Sequence, residues 1–488
     1  MSSVIEIVQW LFLAYYVGHS GGYLVLNVLA LTAIRRNVNS RALDNLLQTH
    51  SGLEPPVSVL IPAYNEALTI CASVRSVLQL EYPEFEIVVI NDGSTDATLE
   101  TLCREFDMQP SPQTYWRRID AKPVRAIYRS RTHANLVLLD KANGGKANAL
   151  NAGINAARFP LFCGVDADSI LERSGLSRVL TPFLEDPNTV AAGGIVRLAN
   201  GCEVRDGFLE RIGLPRHPLA LVQTLEYLRA FLFGRLGWAP LNAVLIISGA
   251  FGVFRKDAVI EVGGYRTDTV GEDMELVTRL HRRCRSMGRP YRIEFVPDPI
   301  CWTEAPETLK ELRRQRQRWQ RGMGDSLAMN RELAFSRRGG TAGWLAFPFM
   351  VIFEWASPAI EVSAYAFMLF AFVFGAISGP ALAAFMLLAT GLGILLSVTA
   401  LLLEELSFHV YTRPGELTRL ALAAVLENFG YRQMVAVWRF IALIESFAGK
   451  RQRWREMTRA AGHLGDGVDR ASPGGAVEPT GATCTEGR

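Results

Sequence analysis

Cysteine, histidine and net charge are all in short supply. The 488 residues hold seven cysteines and seven histidines, and no two cysteines form a Cys-x-x-Cys pair. An odd number of thiols without that spacing argues against a disulfide framework and against a zinc ribbon, and it fits a reducing compartment. Basic side chains number 51 and acidic ones 48, a net charge of +3, so nucleic acid is not expected as a partner. The common phosphate loops are missing too. No Gly-x-Gly-x-x-Gly follows the first strand, and Gly145-Lys146 has Asp140 where a P-loop needs its first glycine. Dinucleotide-binding and P-loop readings both fall away.

Long apolar runs are present at both ends. Ile5 to Leu31 is long enough to cross about 30 Å of hydrocarbon, and Arg35 and Arg36 follow at once. Residues 1–36 are therefore expected to form a transmembrane helix, too long and too poor in basic residues at its start for a signal peptide. The positive-inside rule places the region after it in the cytosol. Trp344 to Ile377 and Ala381 to Leu403 read as a spanning hairpin over residues 341–411, turned at Ser378-Gly379-Pro380. Leu417 to Phe447 is interrupted by Glu427, Arg432, Arg439 and Glu445, so residues 412–460 are expected to be membrane-associated or re-entrant. Residues 461–488 cannot bury a core and are expected to be disordered. Glu354 and Glu361, inside an apolar stretch, should face protein, water or a polar path rather than lipid. Leu219 to Leu236 carries Glu226, Arg229 and Arg235 at intervals and reads as an amphipathic helix at the membrane surface, with Gln223 to Phe231 near a bound substrate.

Between the apolar ends, residues 50–308 alternate short apolar strands with helices. Strands are expected at Val57 to Ile61, Glu86 to Ile90, Val124 to Tyr128, Leu136 to Leu139 and Leu161 to Val165, with helices at Glu66 to Leu80 and Lys146 to Ala157. The expected fold class is α/β with a mostly parallel sheet, flanked by transmembrane and interfacial α-helices. Ligands in such sheets sit beyond the carboxyl ends of strands. Three strands end in polar or acidic groups: Tyr64 with Glu66, Asp92, and Asp166 with Asp168. Carboxylates line a diphosphate site only with a divalent cation between, and Asp166-x-Asp168 suits Mg²⁺ or Mn²⁺. Taken singly, each acid also fits a turn or helix cap.

Four segments then combine: Val57-Ser-Val-Leu-Ile-Pro-Ala-Tyr-Asn-Glu66, Asn91-Asp-Gly-Ser94, Asn143-Gly-Gly-Lys-Ala-Asn-Ala-Leu-Asn151 and Asp166-Ala-Asp168. In this order they resemble the nucleotide-sugar domain of family 2 glycosyltransferases. Gly271-Glu-Asp273 resembles the family's acidic motif, and Gln315-Arg-Gln-Arg-Trp319 matches the Gln-x-x-Arg-Trp motif of its processive members. Membrane-embedded cellulose, chitin, poly-N-acetylglucosamine and hyaluronan synthases share this plan, and the resemblance runs from Leu53 to Gly322 plus the flanking helices.

The resemblance implies a GT-A fold over residues 50–308, interfacial helices with the Gln-x-x-Arg-Trp motif over residues 309–340, a UDP-sugar donor, a glycan acceptor and inversion at the anomeric carbon. It implies Asp273 as catalytic base. Tyr64, Glu66 and Asp92 fall to the uridine, Lys146, Asp166 and Arg318 to the sugar diphosphate, Asp168 with Asp166 to the metal, and Gln315, Trp319 and Glu272 to the acceptor. Trp319 among arginines would equally suit an interfacial anchor. Asn148 departs from the family, whose members often carry aspartate there. The expected setting is a bacterial-type inner membrane with the catalytic domain cytosolic, and the resemblance implies secretion of the polymer through the helices. Any accessory secretion or regulatory subunit would be a separate chain. The alternatives are a non-processive transferase acting on a lipid or other membrane acceptor, and a scaffold that keeps only nucleotide binding.

Overall fold

The computed structural model describes residues 2–44, 54–112, 114–205 and 207–449. The expected tail at 461–488 and the basic run from Lys450 to Arg455 lie outside the described residues.

Twelve strands follow in order: β1 (Val57–Ala63), β2 (Phe85–Asn91), β3 (Met108–Pro110), β4 (Val124–Ser130), β5 (Leu136–Lys141), β6 (Leu161–Val165), β7 (Ile170–Leu171), β8 (Thr189–Leu198), β9 (Glu203–Arg205), β10 (Phe208–Arg211), β11 (Phe251–Arg255) and β12 (Arg292–Thr303). Ten of them make one sheet in the order β3-β4-β5-β2-β1-β6-β11-β8-β12-β7, and β9 and β10 form a separate ribbon. Strands β5, β6 and β8 are buried at every residue, the continuous apolar pattern of strands covered on both faces.

The sheet is mixed rather than uniformly parallel. Strands β5, β2, β1 and β6 run parallel, as do β8 and β12, while β11 enters antiparallel between β6 and β8. β11 starts where β6 ends, with Phe251 opposite Val165. The residues just before it, Ser248 to Ala250, are thereby delivered to the sheet edge that carries the acids, and Asp166 N–H donates to Ala250 O at 3.3 Å.

Among the described residues, two helices are long and apolar enough to cross a membrane, over Val4–Arg35 and Gly379–Ser407. The expected first arm of the hairpin is broken: Ala342–Trp355 and Ser357–Val373 meet at 44°. Pro358 stands at the start of the second piece and has no N–H for the carbonyl four residues earlier. That carbonyl, Glu354 O, instead accepts from Arg439 at 2.7 Å. Residues 416–447 form two shorter helices, Glu416–Leu426 and Tyr431–Phe447, parted at Gly430 with φ +96°. The charges that interrupt this stretch are all paired: Glu427 with Arg229, Arg432 with Glu361 at 3.6 Å, Arg439 with Gln320 at 2.7 Å, and Glu445 with Arg321. Residues 218–233 are helical, ending in a π-turn at Arg229–Phe233.

Helices Glu272–Met287 and Leu309–Met329 cross at a point with no side chain on either partner. A Cβ on Gly322 would lie 2.7 Å from Gly271 Cα, and one on Gly271 would lie 2.6 Å from the Gly322 carbonyl. Ser326 Oγ closes the crossing by donating to Gly271 O at 3.1 Å. Because both obstacles are backbone, Gly322→Ala is expected to cost about 1–3 kcal/mol and to separate Asp273 from the Gln315–Trp319 turn. Thermal unfolding in detergent beside the rate of donor turnover checks this, and an unaltered melting point contradicts it.

Candidate active site

The parallel run β2-β1-β6 places three strand ends side by side, so Tyr64 and Glu66, Asp92, and Asp166 with Asp168 converge on one edge. All five line a cavity of about 700 Å³, together with Lys146, Glu272, Asp273, Gln315, Arg318 and Trp319. Every candidate catalytic, donor, metal and acceptor residue named from the sequence thus reaches one space. The same cavity continues to His19, Tyr23, Phe349, Glu354, Glu361 and Arg432, on or beside the apolar helices.

Asp92 is engaged within the protein. Its carboxylate accepts from Gly144 N–H at 3.0 Å and Gly145 N–H at 2.7 Å and pairs with the buried Lys141 ammonium. Those bonds brace the Gly144-Gly145-Lys146 turn, and Asp92 also lines the cavity. Gly145, at φ +86°, opens the helix Lys146–Ala156. Lys146 is consequently fixed at the first turn, where Nζ pairs with Asp166, donates to Gly249 O at 2.9 Å and lies 4.0 Å from Glu272. Burial disfavours its charge, but Asp166, Glu272 and Asp273 more than offset this and hold its pKa above the ordinary lysine value.

Asp273 sits in the first turn of Glu272–Met287. Oδ2 accepts from Gly249 N–H at 3.0 Å and Oδ1 from Met274 N–H at 2.8 Å. The two bonds fix the carboxylate and leave each oxygen a further lone pair. Its neighbour Glu272 differs: burial, with the Asp273 charge adding to it and Lys146 opposing, pushes its pKa up to about 7.

On Leu309–Met329, Gln315 is buried and Trp319 is 43% exposed. Between them stands a residue the sequence reading passed over. The buried Arg316 lies with its guanidinium 4.4 Å from the Trp319 ring centroid, donates to Gln315 Oε1 at 2.8 Å and pairs with Glu226. Glu226 also accepts from Tyr431 Oη at 3.0 Å. Arg316 thus orients both motif residues. Gly249 was missed as well, because it precedes a strand whose antiparallel pairing only the fold reveals.

Among the described residues, no three His, Cys, Asp or Glu side chains come together as a metal cage. Asp166 and Asp168 nevertheless fit a divalent ion of the kind held by one or two carboxylates, its shell completed by substrate phosphates and water.

Residues 58–118 match the family described as glycosyl transferase family 2, and residues 118–322 match glycosyltransferase-like family 2. The poly-β-1,6-N-acetyl-D-glucosamine synthase of Staphylococcus aureus strain COL is 33% identical over 269 residues, 54% of this chain and 54% of that protein. The Staphylococcus epidermidis synthase of the same name is 31% identical over 267 residues, again 54% of each. The match therefore spans about half the length of these relatives. Among solved structures, a mannosyltransferase of Pyrobaculum calidifontis in complex with GDP-mannose and Mn²⁺ aligns at 20% identity and a TM-score of 0.48, over 86% of this chain and 99% of that one.

With its pKa near 7, Glu272 is neutral below that pH and charged above it. Deprotonation adds a negative charge beside Lys146, where a diphosphate would lie. UDP affinity is therefore expected to fall roughly three- to tenfold between pH 6 and pH 8, and Glu272→Gln should flatten that dependence. Calorimetric titration at both pH values checks it; equal slopes in the two proteins contradict it.

Proposed function

We propose that this chain, whose residues 58–322 form a family 2 glycosyltransferase domain, transfers a sugar from a UDP-sugar, with inversion, to a growing β-linked polysaccharide at the cytosolic face of a membrane. The observation that carries the reading is the single cavity. It joins the acidic sheet edge, Asp273 and the Gln315–Trp319 turn, and runs on to the polar residues between the apolar helices. A transferase acting on a soluble acceptor needs no such extension.

In the proposed reaction, an acceptor hydroxyl attacks the anomeric carbon as the bond to the diphosphate breaks on the opposite face. The hydroxyl proton passes to Asp273, and the bonding pair leaves with UDP. Asp273 is suited to this because Gly249 and Met274 orient it before substrate arrives. Lys146 and Arg318 are the cations placed to meet charge growing on the leaving diphosphate. A divalent ion held by Asp166 and Asp168 would supply further electrostatic stabilisation of that charge. Tyr64, Glu66 and Asp92 remain for the uridine. Trp319, partly exposed and braced by Arg316, offers its face to an acceptor sugar.

Glu354 and Glu361 fit a polar path. Glu354 accepts from Tyr23 and Glu361 from Ser357 at 2.7 Å, both lining the cavity. The second reading, transfer of single sugars to a membrane-bound acceptor, uses the same donor site and is favoured only if products stay short.

Purified protein in nanodiscs, supplied with Mg²⁺ or Mn²⁺ and a panel of UDP-sugars, is expected to release UDP and make long chains. Asp273→Asn should lower UDP release about 10²- to 10⁴-fold. Short adducts would move the assignment to the second reading, and no release with any donor would overturn both.

A further inference from the structure

Beyond these motif residues, one cation in the cavity has no assigned work. Tyr227 and Phe231 lie four residues apart on the helix and π-turn that end at Phe233, one above the other on one face, and Arg235 follows two residues past that end. The Tyr227 and Phe231 rings stack with centroids 5.7 Å apart, and the Arg235 guanidinium lies 3.8 Å from the Phe231 centroid. All three line the same cavity as Asp273.

A guanidinium only donates hydrogen bonds, through five N–H groups in a fixed plane. Stacking on Phe231 satisfies its face but none of those donors. Nη1 of Arg235 is buried and has no hydrogen-bond partner among the described residues. A buried donor without a partner is costly, and one that faces a cavity can be satisfied by water or by a ligand that enters it. Asp273 lies close enough for its charge to act on Arg235 through space. Yet the bonds found at its oxygens come from the Gly249 and Met274 amides, not from Arg235. Of the other cations in the cavity, Arg318 and Lys146 are assigned to the donor above, and Lys146 and Arg316 also have partners within the protein. Lys146 is taken by Asp166 and Gly249, and Arg316 by Glu226 and Gln315. What Arg235 lacks is an oxygen lone pair, presented next to the base.

We propose that Arg235 is an acceptor-binding residue, donating from Nη1 to a hydroxyl or acyl oxygen of the sugar whose attacking hydroxyl lies against Asp273. The inference rests on the transferase reading above. The aromatic stack fixes the plane of the guanidinium, so the bond selects acceptors that place a neutral oxygen at that point and disfavours those that place an ammonium there. Arg235 thereby acts on the acceptor, while Lys146 and Arg318 act on the donor.

The test separates acceptor from donor in nanodisc-reconstituted protein. KM for an oligosaccharide primer and Kd for UDP by calorimetry are measured for wild type, Arg235→Gln and Arg235→Lys. Arg235→Gln is expected to raise primer KM about tenfold or more while UDP affinity stays within about twofold, and Arg235→Lys should recover part of the loss. Retained UDP affinity also certifies that the variant is folded. An unaltered primer KM, or a parallel loss of UDP affinity in both variants, overturns the assignment of Arg235 to the acceptor. A wild-type protein that transfers sugar to no acceptor overturns the transferase reading itself, and this inference with it.

Discussion

The site depends on a contact made of backbone alone, where Gly271 meets Gly322. Only two residues without Cβ atoms let the helices Glu272–Met287 and Leu309–Met329 approach this closely. That approach brings Asp273, two residues from the crossing, into the same cavity as Gln315, Arg316 and Trp319. The cavity-lining groups on the Glu272–Met287 and Leu309–Met329 helices sit on separate elements of the chain, so their distance is fixed by this packing and not by local sequence. Ser326, bonded to Gly271 O and to Gly322 O at 2.7 Å, locks the register of the two helices.

Bringing an arginine-rich helix into the interior creates a second constraint, since buried charge must be paired. Arg316 finds Glu226, Arg321 finds Glu445, and Gln320 takes the Arg439 guanidinium. Farther out, Arg197 on β8 pairs with Glu404 of the Gly379–Ser407 helix at 2.6 Å, both nearly without exposure. Arg229 likewise pairs with Glu427. Such pairs add little net stability, but leaving one charge alone would be expensive. They therefore hold the sheet domain and the apolar helices in one arrangement, and the cavity passes between the two without a break.

Much of the sheet could be read from residues alone. The apolar β-branched runs at β1, β2, β5 and β6 and the polar residues that end them mark strands and their carboxyl ends through local pattern, and the acids do converge. What escaped depends on long-range pairing. The antiparallel entry of β11, which delivers Gly249 to Asp273, leaves no trace in periodicity. Arg316 looks like one more surface arginine until Glu226, 90 positions earlier, is folded against it. Trp344 to Ile377 reads as one unbroken span, so neither the break at Pro358 nor the Arg439 that takes the freed carbonyl was seen. Asp92 reads as a ligand contact because its strand end is right, and its bonds to Gly144 and Gly145 also make it the brace of the Lys146 turn.

The proposed reaction rests on one oriented carboxylate, Asp273, held by the Gly249 and Met274 amides, acting as base in a single displacement that would invert the anomeric centre. The most direct test is the configuration of the first linkage formed from an α-configured UDP-sugar, read by proton NMR before chain growth obscures it. This account predicts a β-linkage. An α-linkage would require either two displacements or a front-face path, and would contradict the role given to Asp273.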